Sequence, residues 1–234
     1  MKDIEWRDGS LPVSTRFDDP YFSREDGRAE TDHVFIRGNH LDDRWPEMTQ
    51  CVIAELGFGT GLNYLETVRQ WLALKRSNAT LHFISFEQYP MVRKEMERAL
   101  SNWPELDTLA EPLFSYWETN TDKFELDLDD GVRLTVHFGD ANILLPKLSF
   151  KADAWFLDGF SPAKNPELWN ATLMKEVGSH CVADGTFATY TAAGFVKRNL
   201  QDSGFIVTKS PGFGRKRDML TGIRQCDMDV AVGH

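Results

Sequence analysis

The sequence predicts an α/β fold in which a mostly parallel β-sheet carries helices on both faces. From residue 51 onward, short runs rich in β-branched and aromatic residues alternate with runs of helical periodicity. A glycine-rich turn follows the first of these runs, and no internal repeat or low-complexity linker divides the chain. The 234 residues, of which 41% are hydrophobic and 26% charged, suffice for one such domain with an N-terminal extension.

The spacing of apolar residues places the individual elements. The first strand covers 51–56 and leads through the glycine-rich turn into a helix over 62–76, where Leu62, Leu65 and Val68 recur at helical spacing. The later elements are a strand over 81–86, a helix over 91–102, strands over 133–138, 154–157 and 186–190, and a closing antiparallel hairpin of 205–210 with 218–223 at the sheet edge. The sheet therefore has seven predicted strands.

The chain divides into three predicted parts. Residues 1–50 form an N-terminal extension, rich in strands or loops, that packs on the core. Residues 51–224 form the main domain, and 225–234 form a C-terminal tail. Within the main domain, residues 103–130 contain nine acidic residues and one basic residue. We expect this acidic stretch to be an irregular helical insertion on the surface.

Several classes of protein are excluded by composition. The three cysteines are far apart and form no Cys-x-x-Cys pair, and the six histidines form no close pair. We therefore expect no metal site and no disulfide framework, which fits a reducing compartment. The N-terminus lacks the apolar run of a signal peptide, and no run approaches the roughly 18 apolar residues of a membrane span. The expected location is the cytoplasm.

The glycine-rich turn is the first chemical signal. Gly57, Gly59 and Gly61 let the backbone turn tightly and approach a ligand closely, and the following helix N-terminus presents free N–H groups. A dinucleotide fingerprint requires a third glycine where Leu62 stands, which argues against a nicotinamide dehydrogenase. The spacing instead favours a cofactor without a pyrophosphate, such as S-adenosylmethionine. A purely structural turn is the alternative. The predicted cofactor-binding positions in this element are Gly57, Phe58, Gly59, Thr60, Gly61 and Asn63.

Acidic residues follow the next two strands. Glu87, at the end of the second strand, is placed to accept hydrogen bonds from ribose hydroxyls, although alone it could be a solvated surface residue. Asp140 follows the third strand beside Gly139. It could contact the adenine amino group, or it could cap the helical segment 141–145.

A loop after the fourth strand carries the predicted catalytic residue, Asp158. Methyl transfer from a sulfonium is an in-line displacement that mainly requires alignment of the methyl group and its acceptor. A carboxylate helps an amine acceptor by orienting its N–H bonds and stabilising positive charge, and Asp158 is placed for this role. Phe160 could form a stacking wall for the substrate. The alternative is that Asp158 only caps a turn and that the nearby prolines shape the loop.

Charge is unevenly distributed along the chain. The formal net charge is -10, yet residues 194–224 contain seven basic residues and two acidic ones. This segment could bind RNA phosphates near the acceptor site, or it could be a solvated charge run. The residues predicted to contact substrate or RNA are Phe160, Lys164, Lys197, Arg198, Arg215, Lys216 and Arg217.

Together these motifs resemble a known family, the methyltransferase domain of the bifunctional tRNA 5-methylaminomethyl-2-thiouridine biosynthesis proteins. The similar stretches extend over roughly residues 4–224, apart from the acidic stretch. The most specific are ELGFGTGLN (55–63), FISFE (83–87), DAWFLDGFSPAKNP (153–166) and GFGRKRDML (212–220). The resemblance, like the seven strands with a final hairpin, implies the Rossmann-like fold of class I S-adenosylmethionine-dependent methyltransferases.

The resemblance implies methylation of the exocyclic amine of 5-aminomethyl-2-thiouridine at the wobble position of a tRNA anticodon. Gly57, Gly59 and Gly61 would then line the cofactor, Glu87 its ribose and Asp140 its adenine. Asp158 would stand beside the transferred methyl group. The tRNA anticodon stem-loop is the expected partner. Since no second dinucleotide fingerprint is present, we expect no FAD in this chain. A small-molecule amine methyltransferase and a non-catalytic RNA- or nucleotide-binding module remain alternatives.

Overall fold

Eleven β-strands form in residues 4–225, the part of the chain that the computed structural model describes. In chain order they are β1 (Ile4–Arg7), β2 (Leu11–Ser14), β3 (Asp19–Pro20), β4 (Gln50–Leu56), β5 (Thr80–Glu87), β6 (Lys123–Leu128), β7 (Val132–Phe138), β8 (Ala152–Leu157), β9 (Cys181–Thr189), β10 (Phe205–Pro211) and β11 (Asp218–Arg224). The first three form a small antiparallel sheet. The other eight form the main sheet, in the order β10-β11-β9-β8-β4-β5-β7-β6.

The helices alternate with the strands of the main sheet, as the periodicity predicted. They are α1 (Gly27–Glu30), a π-helix (Thr31–Ile36), α2 (Leu41–Arg44), α3 (Leu62–Leu74), α4 (Arg93–Leu100), α5 (Asp107–Tyr116), α6 (Ala141–Leu144), α7 (Ala171–Ser179) and α8 (Gly194–Asp202). Short 3-10 turns cover Arg37–Asn39, Trp45–Glu47, Pro104–Leu106, Leu145–Lys147 and Pro166–Trp169. The predicted helices over 62–76 and 91–102 are both present and slightly shorter than expected.

The order of the strands places a crevice at the carboxyl ends of the central strands. Strands β4, β5, β7, β8 and β9 are parallel, so their carboxyl ends all lie on the same side of the sheet. The chain adds β5 and β7 on one side of β4 and then crosses to add β8 and β9 on the other side. Ligands bind in α/β sheets where the strand order reverses in this way, outside the carboxyl ends. The predicted hairpin of β10 and β11 is confirmed at the sheet edge.

The core has one apolar layer on each face of the main sheet. Side chains alternate along β8, so that Phe156 packs in the layer with α3 while Trp155 and Leu157 pack in the layer with α7 and α8. All three are fully buried. Helices therefore cover both faces, and the predicted α/β fold is confirmed.

The expectation of an irregular surface insertion over residues 103–130 is wrong for its second half. Here β6 pairs antiparallel with β7 and extends the main sheet to eight strands rather than seven. Phe124 and Leu126 are buried, whereas Lys123, Glu125 and Asp127 face solvent. This alternation is typical of an edge strand with one solvated face. The high number of acidic residues in 103–130 had suggested a surface insertion instead of a strand. The first half contains α5, whose Leu113 is buried in the core.

The N-terminal extension is more helical than predicted. Only β1, β2 and β3 are strands, and residues 27–47 are almost entirely helical. Phe35 stacks on Phe156 of the main sheet, with ring centroids 5.2 Å apart, and Trp45 packs edge-on against Trp71 of α3. Burial of these large rings explains why short helices, each weak alone, form here.

Two further findings concern the described residues. Within residues 4–225, no helix is long and apolar enough to cross a membrane. No group of three His, Cys, Asp or Glu side chains in the same range could hold a metal ion. Cys226 and nearly all of the predicted tail over 225–234 lie outside the described residues.

Candidate active site

A cavity of about 370 Å³ lies in the crevice at the carboxyl ends of the parallel strands. Its walls come from the glycine-rich turn after β4, the end of β5, the loop after β8, and the N-terminal extension. The site residues predicted from the sequence that line it are Gly57, Phe58, Gly59, Thr60, Asn63, Glu87, Asp158, Phe160 and Lys216.

The glycine-rich turn has the backbone that its sequence predicted. Gly57, Gly59 and Gly61 have φ angles of 92°, 55° and 80°, which are strained for residues with a Cβ atom. A Cβ atom on Gly57 would lie 3.1 Å from the Cα atom of Gly159. The turn therefore brings the ends of β4 and β8 together more closely than side chains would permit.

Glu87 lies at the end of β5 with its carboxylate held by the backbone. Its Oε2 atom accepts a hydrogen bond from the N–H of Gly59 at 2.8 Å, and its Oε1 atom accepts one from the N–H of Tyr89 at 2.8 Å. Burial raises the pKa of Glu87, and the backbone N–H groups oppose that rise. Each oxygen keeps acceptor capacity for a ligand hydroxyl at the cavity wall.

Asp158 follows β8 and its carboxyl group is half-buried in the cavity wall. Its Oδ1 atom accepts a hydrogen bond from the N–H of Gly159 at 2.8 Å, and its Oδ2 atom accepts one from Nδ2 of Asn63 at 2.8 Å. Burial raises the pKa of Asp158 to about 7, although both hydrogen bonds favour the ionised form. A carboxyl group with this pKa can exchange a proton near neutral pH.

Behind Asp158 lies a second acidic residue that sequence reasoning missed. Glu55, at the end of β4, is fully buried and accepts hydrogen bonds from Asn63 at 2.9 Å and from the hydroxyl of Ser85 at 2.7 Å. Burial raises the pKa of Glu55 to about 8. The sequence did carry a signal for Glu55, since it is an acidic residue within an otherwise apolar predicted strand.

Aromatic rings form one wall of the cavity. The ring of Phe160 stacks on Phe17 at 4.7 Å and meets Tyr21 edge-on at 5.0 Å. The carbonyl of Phe160 accepts a hydrogen bond from the indole of Trp169 at 3.0 Å, which fixes the loop backbone. The wall thus combines the predicted Phe160 with two residues of the N-terminal extension, which sequence reasoning had not placed in the site.

Polar contacts tie the extension to the loop after β8. The carboxylate of Asp19 accepts a hydrogen bond from the N–H of Ser161 at 2.8 Å. The ammonium group of Lys164 donates to the carbonyl of Asp18 and lies 3.5 Å from the carboxylate of Asp19. Lys164, which was predicted to contact substrate or RNA, is therefore engaged within the protein.

Two predicted RNA-binding cations also meet carboxylates of the extension. Lys216 donates to Glu30 at 2.8 Å and lies 4.0 Å above the ring of Tyr190 at the cavity wall. The guanidinium of Arg215 lies 3.7 Å from Glu25, although its side chain is 98% exposed. Screening by water makes such an exposed contact weak.

Other predicted residues lie away from the cavity lining. The carboxylate of Asp140 accepts the N–H of Asn142 at 2.9 Å and so caps α6, the alternative that the sequence left open, while its neighbours Gly139 and Ala141 line the cavity. Gly61 is the N-cap residue of α3. The remaining predicted cations outside the lining are Lys197 and Arg198 on α8 and Arg217 between β10 and β11.

The residues that line the cavity fit a nucleoside-bearing cofactor. The cavity volume lies within the range of roughly 300–1,000 Å³ that is typical of small-molecule sites. Gly57 and Gly59 form a cradle that Cβ atoms would fill, since a Cβ atom on Gly59 would lie 3.3 Å from the ring of Tyr21. Glu87 offers carboxylate oxygens for ribose hydroxyls at the end of the strand next to β4.

Comparison with known proteins defines the class. A family model described as S-adenosyl-L-methionine-dependent methyltransferase matches residues 104–225, which is more than half of the chain. The chain belongs to this family, and the fold and the cavity agree with that membership.

Particular relatives refine this assignment. The chain is 46% identical over 238 residues to the tRNA 5-methylaminomethyl-2-thiouridine biosynthesis bifunctional protein MnmC of Marinobacter nauticus, covering 98% of this chain and 38% of the relative. It is also 46% identical to the MnmC protein of Chromohalobacter salexigens, with 94% and 32% covered. The chain thus spans less than two fifths of the length of these relatives.

A solved structure shows the same fold. The crystal structure of MnmC2 from Aquifex aeolicus superposes with a TM-score of 0.72 at 25% sequence identity. The match covers 94% of this chain and 69% of that chain. It therefore includes most of the N-terminal extension as well as the main sheet.

Proposed function

We propose that this methyltransferase transfers a methyl group from S-adenosylmethionine to the exocyclic amine of 5-aminomethyl-2-thiouridine at the tRNA wobble position, giving 5-methylaminomethyl-2-thiouridine. The observation that carries the proposal is the position of Asp158, a half-buried carboxyl group in the wall of the cavity beside the glycine cradle. The names of the relatives that are 46% identical support the choice of substrate.

In this proposal the cofactor supplies an electrophilic methyl group on its sulfonium. The glycine cradle of Gly57 and Gly59 holds the cofactor, and the carboxylate of Glu87 accepts hydrogen bonds from the ribose hydroxyls. An aliphatic amine is largely protonated at neutral pH and cannot act as a nucleophile in that form. Asp158, with a pKa of about 7, takes up this proton and orients the lone pair of the amine towards the methyl group.

The aromatic wall accounts for recognition of the acceptor base. An unstacked uracil ring binds well on aromatic faces, and Phe160 with Phe17 presents such faces at the cavity wall. The anticodon stem-loop would then contact exposed cations of residues 194–224, such as Arg198 and Arg217, where phosphate contacts add salt-dependent affinity. We propose a cytoplasmic location, because a tRNA substrate would be met there.

We propose that residues 51–224 form the methyltransferase unit and that residues 1–50 complete its site. Contacts of the extension support this division. Tyr21 and Phe22 line the cavity, and Val34, Phe35 and Ile36 are buried in one core layer with Phe156. The contact between Asp19 and Ser161 fixes the extension against the catalytic loop.

The direct test is labelled-methyl transfer to tRNA that carries 5-aminomethyl-2-thiouridine. The wild-type protein is expected to label this tRNA, and Asp158→Ala is expected to label it far more slowly. Nucleoside analysis should find the label in 5-methylaminomethyl-2-thiouridine. Absence of any labelled wobble nucleoside with the wild-type protein would contradict the proposed substrate.

A second candidate is methylation of a small-molecule amine. It is favoured by the internal ion pairs of Lys164 and Lys216, which reduce the positive charge available to RNA. Transfer to a free amine metabolite, unchanged when Arg198 and Arg217 are neutralised, would support this candidate over the tRNA substrate.

A further inference from the structure

A single side-chain amide links the catalytic carboxyl group to the buried core of the protein. Nδ2 of Asn63 donates one hydrogen to Asp158 at 2.8 Å and the other to Glu55 at 2.9 Å. Oδ1 of Asn63 accepts a hydrogen bond from the hydroxyl of Thr31 at 2.7 Å. Asn63 is a buried residue on the first turn of α3, and this residue was predicted from its motif to contact the cofactor.

We propose that Asn63 and Thr31 are positioning residues, which hold the carboxyl group of Asp158 in the orientation that serves the acceptor amine. Glu55 is the buried anchor of this arrangement. The role of Asp158 in the inference rests on the proposed function, whereas the hydrogen-bond network itself does not.

The chemistry of the partners fixes the orientation of the amide. The NH₂ group faces two carboxyl groups, and rotation of the amide by half a turn would point Oδ1 at both of them. That arrangement would break both hydrogen bonds and set Oδ1 against carboxyl oxygens, which are also acceptors. The hydroxyl of Thr31 adds a donor to Oδ1, which only the observed orientation can accept. The amide therefore has one favourable orientation, and Asp158 is held with it.

The anchor is firm because Glu55 is itself held at both oxygens. Ser85 of β5 donates to one oxygen at 2.7 Å, and Asn63 donates to the other. Glu55 and Ser85 are both 0% exposed, so water does not compete for these bonds. Three elements of the main domain, β4, β5 and α3, thus converge on the amide.

Thr31 brings the N-terminal extension into the network. It begins the π-helix, is 2% exposed, and also lies 3.1 Å from the carbonyl of Gly27. Its shorter contact is with Asn63. The extension therefore reaches the catalytic carboxyl group through one hydroxyl, in addition to forming the cavity wall.

Several charged or titratable groups act on Asp158 besides this network. Glu55 approaches from β4, Glu30 from α1, Lys216 from the β10–β11 loop, and Tyr190 from the segment after β9. Glu30 disfavours ionisation of Asp158 and Lys216 favours it. The hydrogen bond from Asn63 favours ionisation, so its loss is expected to raise the pKa of Asp158.

The test compares three variants, each of which replaces a polar side chain by an apolar side chain of similar size. Asn63→Leu removes the amide, and Thr31→Val removes only the hydroxyl that orients it. Thr67→Val is the matched control. Thr67 is a fully buried threonine on the same helix, and its hydroxyl has no hydrogen-bond partner among the described residues.

The first readout is a carboxyl-carbon NMR titration of the cofactor-free protein, with the Asp158 signal assigned from Asp158→Ala. The titration midpoint of Asp158 is expected to rise by roughly one pH unit in Asn63→Leu and by less in Thr31→Val. Thr67→Val is expected to leave it unchanged. Equal midpoints in the wild type, Asn63→Leu and Thr31→Val would overturn the proposal, and Thr31→Val keeps the test valid if Asn63→Leu does not fold.

The second readout is the pH dependence of kcat/KM for methyl transfer. The acidic limb is expected to move to higher pH in Thr31→Val and Asn63→Leu, with kcat lowered roughly tenfold in the latter and KM for the tRNA little changed. A lower melting temperature with an unchanged pH profile would show a purely structural role and overturn the proposal. If the wild type methylates no tRNA, the proposed function fails, while the NMR titration still decides whether the network holds Asp158.

Discussion

The cavity at the carboxyl ends of the strands and the basic segment of residues 194–224 differ in how far local sequence determines them. At the strand ends, the glycine-rich turn, Glu87 and Asp158 occupy the positions that their motifs predicted, around one cavity. In the basic segment, Lys216 and Arg215 contact Glu30 and Glu25 of the extension, which are almost 200 residues away in sequence.

Backbone requirements can be predicted from local sequence, whereas the charge of a folded surface cannot. A tight turn between two strands needs glycine at particular positions, so it leaves a mark in the sequence. The charge of a surface depends on which residues of opposite sign fold against it, and local composition does not reveal them.

The largest effect is expected from removal of the carboxyl group of Asp158, the proposed catalytic residue. Asp158→Ala should lower kcat for methyl transfer by about 10²–10⁴-fold, since it removes both proton uptake and orientation of the amine. Steady-state kinetics with labelled cofactor measures this loss. Asp129→Ala, at an exposed aspartate between β6 and β7, is the control and should keep wild-type activity. An Asp158→Ala protein with near wild-type kcat would remove Asp158 from the mechanism.

A smaller effect is expected from filling the glycine cradle. Gly57→Ala places a Cβ atom 3.1 Å from the backbone of Gly159 at a φ of 92°, so it should displace the loop that carries Asp158. Affinity for S-adenosylmethionine, measured by calorimetry, should fall by roughly tenfold or more. Gly9→Ala is the matched control, because Gly9 has a φ of 83° and nothing within 4 Å of its added Cβ atom. Equal cofactor affinity of both variants would show that the cradle does not hold the cofactor.

Neutralising exposed cations should show whether the basic segment of residues 194–224 contacts RNA. The double variant Arg198→Ala, Arg217→Ala should weaken tRNA binding and reduce the slope of log K against log salt by about 0.7–0.9 per lost phosphate contact. Filter binding at several salt concentrations measures both quantities. Lys123→Ala with Arg133→Ala, at the opposite edge of the main sheet, should leave the slope unchanged. If the two double variants behave alike, the segment 194–224 is not the RNA surface.

A separate effect concerns stability and pH. Burial raises the pKa of Glu55 from 4.5 to about 8, so the unfolded state loses this proton at lower pH than the folded state does. The free energy of unfolding should therefore fall as pH rises from about 5 to 8, because the unfolded state binds fewer protons in that window. Urea unfolding of wild type and Glu55→Gln across this range measures the effect. Glu55→Gln should flatten the dependence, and an unchanged slope would contradict the burial of an ionisable Glu55.

Much of the site was predictable because its residues lie in short motifs at strand ends. The alternation of β-rich and helical runs predicted the sheet, and the positions of Glu87 at the end of β5 and Asp158 after β8 predicted their place at the cavity. By contrast, Phe17 and Tyr21 reach the cavity only through tertiary packing of the extension. The bridge that Asn63 forms between Glu55 and Asp158 joins three separate elements, which one sequence does not place together.

A crystal structure with S-adenosylmethionine bound would test the assignment of this cavity as the methyl-transfer site. The cofactor should lie in the cavity with its ribose hydroxyls on Glu87 and its methyl group directed towards Asp158 and the aromatic wall. A cofactor bound elsewhere, or bound here with its methyl group directed away from Asp158, would contradict the assignment of this cavity as the methyl-transfer site.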